Sequence, residues 1–96
     1  MDQIKIIEEK ISELLEIRDS KILFENKELK SWICDTIGHF YMLESCILSD
    51  STLNIYSTNF FSSEVAILRH YRDWNLDNVA DIYQDIRLIS LKYLKN

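Results

Sequence analysis

The first residues that could do chemistry are a carboxylate and an imidazole four positions apart, Asp35 and His39. On a helix this spacing places both side chains on one face, where together they could ligate a metal ion. Cys34 would project well away from His39, and His70 would have to reach the pair from another helix. We therefore interpret Asp35 and His39 as a structural pair, and we predict no metal and no other cofactor.

Glu44 is a second candidate, because it lies among apolar positions of the same predicted helix. A buried carboxylate needs a cation or takes up a proton, so we expect a salt bridge to Arg18, Arg69 or Arg72. A role as a general acid would need a second group at a defined place, and the sequence offers none. Glu44 is therefore predicted to be structural.

The two cysteines and a short basic segment complete the candidates for catalysis. Cys34 and Cys46 would lie about 18 Å apart on one helix, beyond the reach of a disulfide, which favours reduced thiols in a cytoplasmic protein. Arg69–Arg72 reads Arg-His-Tyr-Arg and could contact RNA. The net charge of −5 opposes such a contact. We predict that the protein is not an enzyme and does not bind nucleic acid directly.

A row of aspartates is the most pronounced surface feature, since Asp77, Asp81 and Asp85 recur at a spacing of four. Like charges at this spacing destabilise a helix by roughly 0.2–0.5 kcal/mol each, a cost that a binding role would explain. The predicted partner-binding face consists of Asp73, Asp77, Asp81, Gln84, Asp85 and Leu88. The alternative is a solvated helix face on which Arg69 or Arg72 pairs with the aspartates.

Small residues recur at a spacing of seven in Ser31, Gly38 and Ser45. Such a row lets another helix approach closely, and an interior glycine costs a helix about 1 kcal/mol relative to alanine. We therefore expect Gly38 to have a packing role. The neighbour is either another helix of the same chain or a second chain, in which case the row is an oligomer face.

These residues must be positioned by helices, because the chain has no proline and a single glycine, too few for a turn-rich β fold. Apolar periodicity predicts helices over about residues 2–18, 27–48, 61–73 and 76–94, with Asn26 and Asn75 as N-caps. Residues 49–59 are predicted to form a long polar loop held by Leu53, Ile55 and Tyr56. The expected fold is all-α: a small four-helix bundle in one domain, packed around the helix over 27–48.

Charge and composition reduce the number of functional classes to consider. A chain of 96 residues with net charge −5 repels nucleic acid and anionic membranes and favours a basic protein partner. No apolar run is long enough to cross a membrane. We expect a binding protein that inhibits or neutralises a basic macromolecule, as a toxin-immunity protein, an antitoxin or a phage-type inhibitor of a nucleic-acid-processing enzyme would. The alternative is a homo-oligomeric structural or regulatory module, with a homodimer as its simplest form.

Overall fold

Local apolar periodicity and side-chain caps organise the chain into helices, as a computed structural model shows. The structure describes residues 2–95, except for the side chains of residues 22 and 24. The helices are α1 (Gln3–Arg18), α2 (Lys21–Phe24), α3 (Lys27–Ser49), α4 (Ile55–Ser62), α5 (Glu64–Asp73) and α6 (Asp77–Ser90). No strand occurs among these residues. The all-helical class is confirmed, but the count of four is wrong, because five longer helices and the single turn α2 are present.

Side chains cap the starts of α1 and α3. The Asp2 carboxylate accepts a hydrogen bond from the N–H of Ile4 at 3.0 Å, and the Asn26 side chain accepts one from Leu29 at 3.0 Å. Each bond satisfies a backbone donor that the first turn of a helix leaves without a partner. The prediction of Asn26 as an N-cap is confirmed.

The predicted loop over residues 49–59 is wrong in its second half, which forms α4. The Asn54 side chain caps this helix by accepting a hydrogen bond from the N–H of Ser57 at 2.8 Å. The connection before it is held by Leu53, which is buried and donates its N–H to the carbonyl of Tyr93 at 2.7 Å. Tyr56, which we expected to help to anchor the loop, is 77% exposed, and Ile55 is exposed as well.

The predicted helix over residues 61–73 is interrupted at Ser63, where α4 ends and α5 begins. Ser63 has φ −94° and ψ 41°, so the helical hydrogen bonds do not continue through it. The carbonyls of Phe60 and Phe61 are therefore near a helix end that needs other donors. The Tyr83 hydroxyl donates to them over 2.8 and 3.3 Å, and the Arg87 Nε donates to Phe61 over 3.1 Å. The end of α4 is thus fastened to α6.

The last predicted helix is shorter than expected, since α6 ends at Ser90 and not near residue 94. Asn75 does not cap it. Asn75 has φ 60°, the left-handed conformation of a turn, and Leu76 occupies the N-cap position without a side-chain hydrogen bond. Asparagine tolerates this conformation better than most residues do, which explains its place between α5 and α6.

The core lies between α3 and the helices packed around it, in one compact domain with a radius of gyration of 12.9 Å. α3 contacts α1, α2, α4 and α6, as expected of a central helix. Its buried side chains are Leu29, Ile33, Thr36, Ile37, Phe40, Leu43 and Cys46. Its outer face is exposed, including Tyr41, Met42 and Leu48. The core therefore buries only one face of this helix, and apolar residues of the other face remain exposed.

Candidate functional site

The aspartate row predicted to bind a partner lies on the surface of α6 and just before it. Asp73, Asp77, Asp81, Gln84 and Asp85 are all exposed, and Leu88 is 61% exposed in the same sector of the helix. Exposure of this kind is common to contact surfaces and to solvated helix faces, and the charges around the row distinguish its members.

Arg72 of α5 partly neutralises this row. Its guanidinium donates to Asp77 over 3.4 Å and to Asp81 over 3.2 Å. All three side chains are largely exposed, so these ion pairs contribute little to stability. The pairing with Arg72 that we considered as the alternative is present, and among the described residues it leaves Asp73 and Asp85 as the aspartates of the row without an ion pair.

Asp81 and Asp85 also face a groove whose opposite wall is α1. The groove has a volume of about 410 Å³. Its lining consists of Lys10, Glu13, Glu16, Ile17, Asn78, Asp81, Ile82 and Asp85. Two carboxylates thus come from each wall, whereas Lys10 is the only cation among the described residues that line it. We call this part of the surface the acidic section.

The acidic section has a negative potential that nearby cations cancel only in part. Lys10 lies 3.6 Å from Glu13, and Arg72 holds Asp81 from outside the groove. Within residues 2–95, no ion pair involves Glu16 or Asp85, which come from opposite walls. Apolar walls beside carboxylates strengthen such a field, because they limit screening by water.

A second cavity of about 300 Å³ continues the groove toward α2. It is lined by Glu16, Ile17, Ser20, Leu23, Leu76 and Asn78, of which Glu16, Ile17 and Asn78 also line the acidic section. The later residues of α1 thus face the beginning of α6, so the two helices run antiparallel along the groove. We call this end the apolar section, because three of its residues are Ile or Leu.

His39 is held by Ser57 and not by Asp35, which corrects the expected pairing. His39 Nδ1 lies 2.7 Å from Ser57 Oγ, and Phe60 stacks on the imidazole with ring centroids 4.3 Å apart. Burial lowers the pKa of His39, and the charge of Asp35 opposes this effect. The Ser57 side chain is fully buried, out of reach of a substrate. The arrangement therefore links α3 to α4 and does not resemble an accessible nucleophile with its base.

Glu44 lacks the salt bridge that we expected. Its Oε2 atom is buried and has no hydrogen-bond partner among the described residues. Desolvation raises the pKa of the carboxyl, and the nearby charge of Glu8 raises it further. Glu44 is thus an unfavourable charge between α1 and α3 and not half of an ion pair.

The basic segment Arg69–Arg72 does not form a continuous surface. Tyr71 is fully buried, and His70 stacks on Trp32 with ring centroids 3.5 Å apart. The two arginines are exposed, and Arg72 is engaged by the aspartates of α6. The segment therefore serves packing and ion pairing in this structure.

The small-residue row lies on the exposed outer face of α3. A Cβ atom added at Gly38 would meet no atom of another described helix within 4 Å, so the internal close approach that we considered is wrong. Exposed residues on this face follow alternating spacings of three and four: Ser31, Cys34, Gly38, Tyr41, Ser45 and Leu48. None of them carries a formal charge. We call this set the outer stripe of α3.

Both cysteines are free, Cys34 exposed and Cys46 buried. In the part of the chain that the structure describes, no three His, Cys, Asp or Glu side chains are grouped so as to hold a metal ion. None of the helices there combines the length and apolarity that crossing a membrane requires. Comparisons with protein-family models, with curated proteins and with solved structures each gave no match to this chain.

Proposed function

We propose that the protein is a small acidic binding module that neutralises a basic macromolecule by docking it in the groove between α1 and α6. The observation that carries this proposal is the set of four carboxylates in the acidic section, opposed by Lys10 alone among the described lining residues. A cationic surface placed there would replace repulsion between carboxylates with attraction, and the field of the groove would speed the encounter.

The inhibitory role follows from the charge of the expected target. A toxin or an enzyme that acts on nucleic acid binds the phosphates through a basic surface, and a protein that occupies this surface blocks it. The proposed role is therefore that of an immunity protein, an antitoxin or a phage-type inhibitor. We place it in the cytoplasm, where two free thiols are compatible with the redox conditions.

The proposed contact surface is shifted from the outer aspartate row toward the groove. Asp77 and Asp81 are already held by Arg72, whereas Glu16 and Asp85 make no ion pair within residues 2–95. Leu88 follows Asp85 by about one helical turn and is exposed, so it offers an apolar contact next to Asp85 on α6.

A test with a simple probe uses an oligolysine peptide and two double variants of equal charge. Glu16→Gln/Asp85→Asn removes the unpaired carboxylates of the groove, and Glu28→Gln/Asp50→Asn removes two exposed carboxylates elsewhere. Each changes the net charge from −5 to −3, since two negative charges are lost. Losing two contacts of about 0.5–1 kcal/mol each predicts a fivefold to thirtyfold weaker affinity for the groove variant by calorimetry. Equal weakening in both variants would mean that only net charge matters.

The outer stripe of α3 supports a second candidate function, a homodimeric module. Alternating spacings of three and four are the signature of a helix–helix seam. In an antiparallel pair related by a two-fold axis, Gly38 of one copy would face Tyr41 of the other, and Ser31 would face Leu48. Large side chains would thus meet small ones, and no charged residue of the stripe would oppose the approach of a second acidic chain.

Sedimentation equilibrium tests this second candidate. The stripe is about 26 Å long, which is short for a stable dimer, so we expect a weak, concentration-dependent association. Tyr41→Glu should abolish it, while Tyr56→Glu, at an exposed tyrosine of α4, should leave it intact. A monomer at all concentrations would contradict the homodimer and leave the groove proposal unaffected.

A further inference from the structure

We propose that the segment docked in the groove is a basic amphipathic helix with one large apolar anchor and lysines or arginines one and two turns away. This inference rests on the proposed function and specifies the chemistry of its partner. The acidic and the apolar sections differ in chemistry but are continuous, because Glu16, Ile17 and Asn78 line both of them. A ligand that spans both sections must be apolar at one end and cationic at the other.

The apolar section selects the anchor. Ile17, Leu23 and Leu76 line it, and its volume of about 300 Å³ is sufficient for a Leu, Met or Phe side chain. Ser20 and Asn78 add polar groups to its lining. A bare polyamine has no group that would fill this volume, so a peptide fits better than a small polycation.

The acidic section sets the positions of the cations. From the apolar section toward the N-terminus of α1, Glu16 comes first and Glu13 lies about one turn further along the groove. On α6, which runs antiparallel to α1, Asp81 and then Asp85 follow in the same direction. Residues 10–18 of α1 span about 12 Å, which equals the rise between positions i and i+8 of a helical partner. An anchor at position i and cations at i+4 and i+8 of one helix face match this order.

The charge and shape of the groove argue against other ligands. Carboxylates on both walls repel the phosphates of a nucleic acid. Along the described chain, no three potential metal ligands converge, so the carboxylates do not form a cation cage. A basic helix is thus the occupant whose chemistry complements both sections.

Fluorescence anisotropy with labelled helical peptides of about 14 residues provides the test. The probe carries one leucine with lysines four and eight positions further on, and its partner peptide has alanine in place of leucine. We expect the leucine peptide to bind at least tenfold more tightly. Asn78→Trp, which places a large ring at the junction of the sections, should reduce this ratio below threefold. Asn59→Trp, at an exposed asparagine of α4, should preserve it.

The outcomes separate this inference from the proposed function. Equal binding of the two peptides, weakened by Glu16→Gln/Asp85→Asn, would overturn the apolar anchor and leave an acidic groove for basic partners. Displacement of the leucine peptide by spermine at equal concentration would overturn the inference in the same way. Absence of binding by either peptide and by oligolysine would overturn both proposals.

Discussion

Replacing Tyr83 by Phe removes a single hydroxyl that holds the end of α4 to α6. This hydroxyl donates to the carbonyl of Phe60 at 2.8 Å and lies 3.3 Å from the carbonyl of Phe61. Phe61 keeps a second donor in Arg87, but no other hydrogen bond to the Phe60 carbonyl is present in the described chain. The substitution therefore removes a hydrogen bond and also leaves a carbonyl near a helix end without its donor.

The magnitude follows from these two losses. A net hydrogen bond contributes about 1 kcal/mol, and a carbonyl left without a partner costs about 1–3 kcal/mol. Because water can reach part of this region, we expect a loss of about 2 kcal/mol in the free energy of unfolding, or roughly 8–16 °C in Tm for a domain of this size.

Urea unfolding followed by circular dichroism at 222 nm measures this loss. Tyr56→Phe is the matched control, since Tyr56 is exposed and the structure gives its hydroxyl no hydrogen bond. The control should change the free energy of unfolding by less than about 0.5 kcal/mol. A Tyr83→Phe variant as stable as this control would refute the account of how the end of α4 is held.

Three further predictions concern helix interiors and buried charges. Gly38→Ala should raise the free energy of unfolding by about 0.5–1 kcal/mol in urea unfolding, because the added Cβ meets open space and alanine favours helix. Glu44→Gln should raise Tm at pH 7 by roughly 2–5 °C, since it removes a desolvated charge near Glu8. Because the pKa of Glu44 is raised in the folded state, its contribution to wild-type stability falls as pH rises above about 4.5. The gain in Tm from Glu44→Gln should therefore disappear in acid. The pKa of His39 is lowered in the folded state, so the contribution of this residue to stability is complete above about pH 6.5 and is lost as pH falls below it. The Tm of His39→Gln, measured in thermal melts, should therefore depend less on pH between 7 and 5 than the Tm of the wild type does.

Local patterns in the sequence were enough to predict α1, α3 and the central place of α3, because apolar periodicity and the Asn26 cap act within a few residues of the chain. The same local signals misled at residues 49–59. There, the density of Ser, Thr and Asn is typical of a loop, yet Asn54 caps a helix, and two of the polar residues are buried with partners. Ser57 bonds His39, and the Thr58 hydroxyl accepts a hydrogen bond from the N–H of Lys95 at 3.0 Å. Such distant partners cannot be read from local composition.

The candidate site was predictable only on one of its walls. The aspartates of α6 are visible as a row in the sequence, but Glu13 and Glu16 look like ordinary surface residues of α1. Their place in the groove depends on α1 packing beside α6, which is set by the core and not by either helix alone. Glu44 was also not predictable, because nothing in the sequence indicated that the charge of another carboxylate, Glu8, would help to raise its pKa.

An NMR titration of the ¹⁵N-labelled protein with the leucine–lysine helix tests the central claim most directly. The account predicts that chemical shifts change first in the backbone amides of the groove: Glu13, Glu16, Ile17, Asn78, Asp81 and Asp85. The amides of Gly38 and Tyr41 on the outer stripe of α3 should remain unchanged. Shifts confined to that stripe, or scattered over all exposed carboxylates, would contradict a binding groove between α1 and α6.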